Sequence, residues 1–512
     1  MRRRLVTRAA VLASLLVVVL SAAPVAAAPE GQVTWGVHIT LAPTWFDPAE
    51  TPPLITPYMV MYAIHDAMAK AMPDNSMTPA LAESWKASPD GKTYDFTLRK
   101  NVKFHDGSTM TAEDVKFSFE RYRGAAAKSM KDRVAGIDVT GPLQVRFRLK
   151  EPWPDFLLFY TAASGAGWIV PKKYVEKVGE EQFKKAPVGA GPYKYVSFTP
   201  GVELVMEAFD QYWRKTPKVK RLVFRVIPDE STRMAALKRG EIDIVYSVRG
   251  ELAEELQRTP GLTLKPTVIQ APQWVSMLDQ WDPKSPWHDR RVRLAANLAI
   301  DRKAINQAIT LGHSRLTGTI IPSTFEYAWP APLYPFDPAQ AKKLLAEAGY
   351  PNGFDAGEYH MDVAYANVQE AIADYLRQAG IKTTLRSMER AGFFAGYTAK
   401  KFKNLAYTAS GAFGNAATRL ETFVVKGGAY VYGSYPDIDG LFTEQAAELD
   451  RKKRQAILHR IQQLMHEKVM HIPIWELGFV NGHGPRIQES GLGLIPGHAY
   501  SAPYEDVSLK GK

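Results

Sequence analysis

LAESWKASPDGKTYDFTLRKNVKFHDGSTMTAEDVKFSFER, from Leu81 to Arg121, contains the local signals that decide the fold. Ser88–Gly91 has the residues of a tight turn, because proline presets φ and glycine accepts a left-handed corner. Apolar and polar residues alternate over Thr93–Arg99, which is the period-two pattern of a half-buried strand. Thr111 stands three residues before Asp114, the spacing of a helix capping box. The stretch therefore predicts a turn, a strand and a capped helix in that order.

Strand-like and helix-like segments alternate along the rest of the chain. Asp229–Arg239 is predicted to be a helix that ends at a glycine cap, Gly240. Asp337 begins another helix, because proline follows it in the first turn, and Arg451–Val469 is the longest amphipathic helix. This alternation predicts a mixed α/β protein. At roughly 150 residues per domain, the 512 residues suffice for about three compact units.

The first 27 residues have the pattern of a secretory signal peptide. Four arginines precede the apolar run Ala9–Leu20, and small residues follow, with Val25 and Ala27 at the −3 and −1 positions of a signal peptidase site. The apolar run is shorter than the ~20 residues that span a membrane. Arg3-Arg4 also permits twin-arginine export, so the sequence leaves the export route open. We expect an exported, soluble, periplasmic protein.

Composition excludes several classes of site. The chain has no cysteine, which excludes disulfides, a thiolate nucleophile, cysteine-bound metal and a lipidated cysteine anchor. Its formal net charge of +11 falls by four to +7 when the arginines of residues 1–27 are removed. The remaining basic residues are spread thinly and do not interleave with aromatic residues. We therefore predict no nucleic-acid partner.

Catalytic and metal-binding motifs are scarce. His466-Glu467 and His471 form an HExxxH pattern, in which the two imidazoles lie about 140° apart around a helix rather than on one face. No GxSxG elbow, P-loop or dinucleotide-binding GxGxxG is present. The remaining histidines, among them His360, His483 and His498, are scattered along the chain. We predict no catalytic residue, no metal site and no cofactor.

The quoted stretch closely resembles the segment LAESW…DG…Y.F.LR..VKFHDG…TAEDV.FS.ER of the family 5 extracellular solute-binding proteins. These are the dipeptide, oligopeptide and nickel type of ABC-importer receptor. Further blocks occur in the family's order along almost all of the chain beyond residue 27. They are Phe46–Pro48, Ile169–Val175, Pro187–Tyr195, Asp210–Trp213, Phe224–Asp229, Ala235–Asp243, Asp289–Arg293, Ala299–Ile305 and Ala341–Phe354.

This resemblance implies an α/β, two-lobed periplasmic binding protein fold of type II, in the large cluster C form with an extra subdomain in lobe one. The two crossover strands that act as a hinge are expected near Val268–Met277 and Ile472–Val480. The implied ranges are 1–27 for the signal peptide, 28–265 and 481–512 for lobe one, about 58–190 for its extra subdomain, and 266–480 for lobe two.

The resemblance also implies the function of a periplasmic receptor. Such a protein captures a small solute between its lobes by hinge closure and delivers it to the membrane subunits of an ABC permease. The solute is expected to be peptide-like, or a modified, anionic or sugar-like compound. We expect a monomer that meets its permease transiently and is not an enzyme. A secreted hydrolase or a ligand sensor that uses the same cleft is the alternative.

The chain departs from its relatives where the dipeptide and oligopeptide members bind the ends of a peptide. In the block Thr408–Phe423, Asn415 and Ala416 stand where carboxylates hold the peptide amine. The segment Ala364–Val368 (AYANV) lacks the arginine that holds the peptide carboxylate in the dipeptide members. A buried, unpaired charge is costly, so we expect ordinary dipeptides to be poor ligands.

The candidate ligand-binding residues come from three parts of the chain. Arg419 is a candidate anchor for a carboxylate or phosphate, and Glu421 is a displaced partner for an amine or else a surface residue. For each aromatic candidate, packing in the core is an equal alternative to ligand contact. The full set is Trp45, Phe46, Gln273, Trp274, Phe413, Asn415 and Arg419.

We expect signal peptidase to cut after Ala27, because cleavage after Ala28 would place Pro29 beside the scissile bond. Intact-mass measurement of protein recovered from the periplasm should then give a chain that begins at Ala28. Recovery of a periplasmic chain that still begins at Met1 would contradict this prediction.

Overall fold

The structure is a computed structural model that describes residues 28–51, 56–124, 126–411 and 414–511. The predicted signal peptide and Phe413 lie outside the described residues. Helices and strands alternate through the described part, and the prediction of a mixed α/β fold is confirmed.

The stretch that opened the sequence analysis folds largely as predicted. Strand Thr93–Leu98 follows the turn, and helix Ala112–Arg121 begins after Thr111, whose backbone N–H donates to Asp114 Oδ2 at 2.8 Å. The residues before the turn form a further strand, Ala82–Ala87, which pairs antiparallel with Thr93–Leu98. These strands belong to a four-stranded sheet with the order Ala82–Ala87, Thr93–Leu98, Gln144–Leu149 and Val134–Gly141.

An eleven-stranded sheet forms the centre of the molecule. Its path runs through Tyr193–Thr199, Glu203–Ala208, Val219–Val226, Glu30–Val37, Ile244–Val245, His471–His483, Thr263–Met277, Leu405–Ala409, Phe354–Asp362 and Ile381–Met388, and the short strand Arg315–Leu316 also pairs with His471–His483. Three two-stranded sheets pair Asp66–Ala67 with Trp168–Ile169, Ala69–Met72 with Asn75–Pro79, and Ile487–Glu489 with Ser508–Leu509.

Two long strands join the two parts of this sheet. Thr263–Met277 runs antiparallel to His471–His483, with Thr263 opposite His483 and Ser276 opposite His471. We call the part of the fold around strand Glu30–Val37 lobe one and the part around Phe354–Asp362 lobe two. The stretches predicted as crossovers lie within the two long strands. The residue boundaries proposed for the lobes stay a prediction.

The α-helices include three that the sequence predicted, near Asp229–Arg239, after Asp337 and near Arg451–Val469. Gly240, with φ +72°, follows the predicted helix Glu230–Lys238. The α-helices are Tyr58–Ile64, Ala112–Arg121, Ala127–Arg133, Phe156–Leu158, Lys172–Val178, Glu180–Lys185, Glu230–Lys238, Gly250–Arg258, Arg290–Leu298, Arg302–Thr310, Pro338–Glu347, Ala366–Ala379, Arg390–Thr398, Ala416–Phe423, Pro436–Ala446 and Arg451–Glu467. Short 3₁₀ helices are Pro43–Phe46, Pro48–Glu50, Pro286–His288, Val363–Tyr365 and Tyr504–Asp506, and Phe159–Ala163 is a π-helix.

Separate apolar clusters support the sheets. The largest includes Trp35, Val275 and Trp475 from strands of the long sheet. A second apolar cluster packs on the four-stranded sheet and includes Phe96 and Phe147. In the part of the chain that the structure describes, no helix is both long enough and apolar enough to cross a membrane.

Gly478 lies in the long strand His471–His483, where the backbone of His313 and Ser314 approaches it closely. A Cβ at this position would lie 2.6 Å from Ser314 N. Backbone atoms cannot rotate away as a side-chain tip can, so we expect Gly478→Ala to destabilise the protein by about 1–3 kcal/mol. Thermal unfolding of Gly478→Ala beside Gly484→Ala tests this, because a Cβ at Gly484 meets nothing closer than 3.8 Å. Equal melting temperatures for the two variants would contradict the prediction.

Candidate functional site

A cavity of about 1050 Å³ lies between the two lobes, and we call it the ligand cleft. Lobe one lines it with the residues that follow strand Glu30–Val37, from His38 to Trp45, and with Arg249. Lobe two lines it with Asp362–Ala364 and helix Arg390–Thr398. A cleft of this kind can enclose a small solute and shield it from water.

The topology of the sheet explains why these residues meet. Glu30–Val37 and Phe354–Asp362 are each paired with parallel neighbours. His38 follows the carboxyl end of the first strand, and Asp362 is the last residue of the second. Ligands in open α/β sheets bind at the carboxyl ends of the strands, where the connecting loops diverge.

Two arginines from different lobes bind the same short segment of lobe two. Arg390 Nη1 donates to Asp362 Oδ2 at 2.7 Å. Arg249, from lobe one, donates through Nη1 to the carbonyl oxygen of Ala364 at 3.0 Å and to Asn367 Oδ1 at 3.1 Å. The segment from Asp362 to Asn367 is therefore held by a cation on each side of the cleft.

A third arginine fixes the loop that carries Arg249. Arg233 is buried, and its guanidinium donates to the carbonyl oxygens of Tyr246 and Ser247 at 2.7 and 2.6 Å, and to that of Ile227 at 2.6 Å. Burial lowers the pKa of Arg233 to about 10, so it stays charged at neutral pH. Its bonds to the backbone hold the chain just before Arg249 in place.

The floor of the cleft is electrostatically positive. Burial lowers the pKa of His38 well below its ordinary value, and the charges of Arg233, Arg249 and Arg390 lower it further. His38 is therefore neutral at physiological pH. Its Nε2 lies 3.2 Å from the hydroxyl of Tyr500, and its Nδ1 is buried without a hydrogen-bond partner.

Apolar side chains form the walls of the cleft. Trp45 lines it from lobe one, and Val363, Phe394 and Tyr430 line it from lobe two. Val363 is 47 % exposed, so its side chain is accessible to a solute in the cleft. The cleft therefore combines charged anchors with an apolar surface.

A second cavity of about 730 Å³, here called the side cavity, also lies between the lobes. Two of its charged residues, Asp155 and Arg454, are bound to each other. Arg454 donates to both carboxylate oxygens of Asp155, with Nη1 to Oδ1 at 2.9 Å, and Asn415 Nδ2 donates to the same Oδ1 at 2.7 Å. Asn415 also caps helix Ala416–Phe423. In this structure Asn415 thus connects lobe two to Asp155, the residue before helix Phe156–Leu158.

The structure separates the predicted ligand-binding residues. Trp45 lines the ligand cleft, whereas Phe46, Gln273 and Trp274 are buried among core residues. Phe46 packs edge-on against Phe198. The Oε1 of Gln273 accepts hydrogen bonds from the side chains of Tyr407 and Trp475. Phe46, Gln273 and Trp274 thus pack in the core, which was the alternative to ligand contact.

Arg419 and Glu421 also lie away from the ligand cleft. Arg419 is 1 % exposed, and its guanidinium lies 5.1 Å from the ring centre of Phe423 and 5.9 Å from that of Trp274. Burial lowers its pKa to about 9. Glu421 accepts a hydrogen bond from Ser129 and lies 3.5 Å from Arg133, so it connects helix Ala416–Phe423 to helix Ala127–Arg133.

Sequence reasoning missed Arg249, Arg390 and His38. The resemblance points only to Ala364–Val368, the segment in which dipeptide members have the arginine that binds the peptide carboxylate. The arginines that reach this segment come from other parts of the chain, since Arg249 is 115 residues from Ala364. No local pattern marks such a contact.

Among the residues that the structure describes, no group of three or more His, Asp or Glu side chains is placed to hold a metal ion. His466 stacks on Tyr334, while His471 is half-buried and lies edge-on to Trp274. The two histidines of the HExxxH pattern are thus parts of different packing contacts.

Comparison with known proteins assigns the chain to a family. Residues 76–430 match the bacterial extracellular solute-binding proteins, family 5, middle region. The chain belongs to the family 5 extracellular solute-binding proteins. This family 5 protein is 29 % identical over 352 residues to the glutathione-binding protein GsiB of Salmonella paratyphi A. The aligned region covers 65 % of the chain and 67 % of that relative. It is also 29 % identical over 435 residues to a Pseudomonas aeruginosa protein named probable di/tripeptide-binding protein 5, covering 78 % and 81 %.

Solved structures of solute-binding proteins share the fold of this family 5 protein. The periplasmic binding protein DppA of Helicobacter pylori, in complex with the peptide STSA, superposes with a TM-score of 0.81 at 24 % identity and covers 94 % of the chain and 99 % of its own. MoaA of A. tumefaciens R10, in complex with mannopinic acid, has a TM-score of 0.80 at 25 % identity, covering 94 % and 100 %. The predicted fold class is thereby confirmed.

Arg419 yields a prediction about stability, because its charge is buried and no carboxylate of the described residues forms an ion pair with it. Within the same residues, Nη2 donates to the carbonyl oxygen of Ser410 at 2.9 Å, while Nε and Nη1 are buried without partners. We expect Arg419→Ala to destabilise the ligand-free protein by about 2–5 kcal/mol through the cavity it leaves. Arg419→Met keeps most of the volume and removes the charge, so it should be no less stable than the parent protein at pH 7.

Thermal unfolding of the two variants, stripped of ligand, checks this prediction. An unchanged melting temperature of ligand-free Arg419→Ala, together with ligand binding weakened at least tenfold, would contradict it. That result would support the hypothesis that Arg419 is a ligand anchor.

Proposed function

We propose that this family 5 protein is the periplasmic solute receptor of an ABC importer. It captures one small solute in the ligand cleft and presents the closed form to the membrane permease. The observation that carries this proposal is the cleft itself, which has about 1050 Å³ and is lined by both lobes. A site built from two lobes is completed only when they approach each other.

The size and chemistry of the cleft suit a solute of a few linked residues. Pockets that bury small organic ligands have volumes of about 300–1,000 Å³. Relatives carry names for glutathione and di/tripeptide binding, and a neighbouring structure holds a four-residue peptide. Mannopinic acid in a further neighbour shows that the same fold binds acidic, non-peptide solutes. We infer a ligand within this range of sizes for the present chain.

Contacts between the lobes support closure as the mechanism. Arg249 donates across the cleft to Ala364 and Asn367. On the opposite side, Asp155 receives hydrogen bonds from Asn415 and Arg454. All of these contacts must break if the lobes rotate apart about the two long strands. We infer that they form, together with ligand contacts, in the closed receptor.

The remaining parts of the proposal concern location, assembly and chemistry. We infer export to the periplasm from the pattern of residues 1–27, and a monomer that contacts its permease transiently. We infer binding without catalysis, because the proteins of this family are binding proteins. The hydrolase alternative has no structural observation in its favour within the described residues. A sensory role uses the same cleft, and binding alone does not separate it from transport.

We expect ligand removal to expand the protein and ligand return to compact it. The solute retained on purification, identified by mass spectrometry, serves as the probe. Small-angle scattering of stripped and reloaded protein should show a smaller radius of gyration in the loaded state. Identical scattering curves at saturation would rule out hinge closure as the binding mechanism.

We also expect Trp45 to report on occupancy, because it is the tryptophan of the predicted site that lines the cleft. Ligand-induced quenching or a shift of tryptophan fluorescence should disappear in Trp45→Phe. It should persist in Trp274→Phe, whose indole is fully buried and donates to Ser276 Oγ at 2.9 Å. The opposite pattern would place the ligand elsewhere.

A further inference from the structure

We propose that the ligand of this receptor carries a carboxylate that binds between Arg249 of lobe one and Arg390 of lobe two. The apolar or aromatic body of the ligand then lies against Trp45, Val363 and Phe394. This inference rests on the proposed function and specifies the chemical class of solute that the cleft takes. It moves the predicted anionic anchor from Arg419 to two residues that the sequence did not indicate.

The first argument is geometric. Arg390 binds Asp362, and Arg249 binds Ala364 and Asn367, so both guanidinium groups attach to one segment of six residues. Both arginines also line the ligand cleft. Their side chains are 18 % and 20 % exposed, in contrast to the fully enclosed Arg419. Arg249 and Arg390 are therefore within reach of a solute that enters the cleft.

The second argument concerns unused hydrogen-bond donors. A guanidinium has five N–H groups arranged to bind planar anions in pairs. Arg390 donates to Asp362 and also interacts with Tyr365, and among the described residues its Nε is buried without a partner. Arg249 Nη2 donates to Glu230 Oε2 at 3.2 Å, whereas the Nε of Arg249 is buried without a partner among the same residues. A carboxylate in the cleft would satisfy donors that the protein leaves unused, after a small rotation of either side chain.

The third argument is the balance of charge around the cleft. Three guanidinium groups line it, those of Arg233, Arg249 and Arg390, against two carboxylates, those of Asp362 and Glu389, and Glu230 forms an ion pair with Arg249 at 3.2 Å. Asp362 is already bound to Arg390, and its other oxygen accepts from the backbone N–H of Ala364 at 3.0 Å. Arg233 is bound by carbonyl oxygens, and the charges of all three arginines lower the pKa of His38 in the floor of the cleft. An anion is therefore favoured over a cation in a cleft that excludes water.

The fourth argument concerns the amine of an ordinary peptide. Both oxygens of Asp155 are occupied by Arg454, and Oδ1 also accepts from Asn415. Among the described residues that line the ligand cleft, Glu389 is the one carboxylate that is not already bound to an arginine. An ammonium group thus has a single partner, whereas a carboxylate has two. The cleft favours solutes whose amine is absent, acylated or remote from the carboxylate.

A panel of matched acids and amides tests this inference on the full-length, ligand-stripped receptor. We suggest N-acetylphenylalanine, N-acetylleucine and succinate, each beside its carboxamide, with phenylalaninamide as a cationic probe. Calorimetry should show at least one acid binding at least tenfold more tightly than its amide, which corresponds to about 1.4 kcal/mol. Phenylalaninamide should bind more weakly than the acids.

Matched arginine variants locate the anion. Arg390→Gln and Arg249→Gln should each weaken binding of the acid at least tenfold, and Arg390→Lys should not restore it fully because an ammonium lacks the planar fork. Arg386→Gln and Arg258→Gln are the controls, since their side chains are 54 % and 78 % exposed and pair with Glu358 and Glu254 outside the cleft. The controls should bind the acids like the parent protein.

Each outcome decides the inference. Amides or the cationic probe that bind as tightly as the acids, with compaction of the protein, would overturn the carboxylate assignment and leave the receptor function intact. Failure of every acid at millimolar concentration would also overturn it, while the scattering comparison of protein with and without its retained solute decides the receptor function separately. If a glutamine variant fails to fold, the acid–amide comparison on the parent protein still stands.

Discussion

The antiparallel pairing of two long strands is the constraint on which the rest of the structure depends. Thr263–Met277 and His471–His483 share backbone hydrogen bonds through both lobes. At one end Ile244–Val245 of lobe one pairs with His471–His483, and at the other Leu405–Ala409 of lobe two pairs with Thr263–Met277. A two-strand connection resists twisting more than a single strand does. The lobes can therefore bend toward each other while their facing loops stay in register.

Buried arginines secure the elements around this connection. Arg302 donates through Nε to the carbonyl oxygen of Pro473 at 2.6 Å, and Arg293 donates through Nε to that of Val469 at 3.0 Å. Together they fix the start of the strand His471–His483 to two helices of lobe two. Burial lowers the pKa of Arg302 to about 10, and it lowers the pKa of Arg293 as well. Like Arg233, these side chains use carbonyl oxygens in place of carboxylates, which gives several bonds per buried charge.

Local features were predictable from the sequence, and contacts between distant segments were not. The capping box at Thr111 and the helix end at Gly240 depend only on neighbouring residues, so the local sequence pattern predicted them. The position of Trp274 depends on which face of a strand meets lobe two, and that strand is buried on both faces. The arginines that bind Asp362–Asn367 approach from other elements, so the absence of an arginine within AYANV did not indicate them, and Arg419 was the arginine that the sequence offered as an anchor.

The bonds of Arg249 to Ala364 and Asn367 bear on how quickly a solute can leave. A receptor must release its solute at the permease. Leaving a guanidinium without an acceptor in a cavity that excludes water would raise the energy barrier to dissociation. Here the carbonyl oxygen of Ala364 and the amide oxygen of Asn367 accept from the guanidinium at the same time as the solute is bound. When a solute leaves Arg249, the guanidinium therefore still has acceptors within the closed protein. This lowers the barrier to dissociation and shortens residence time without requiring weak equilibrium contacts at the other anchors.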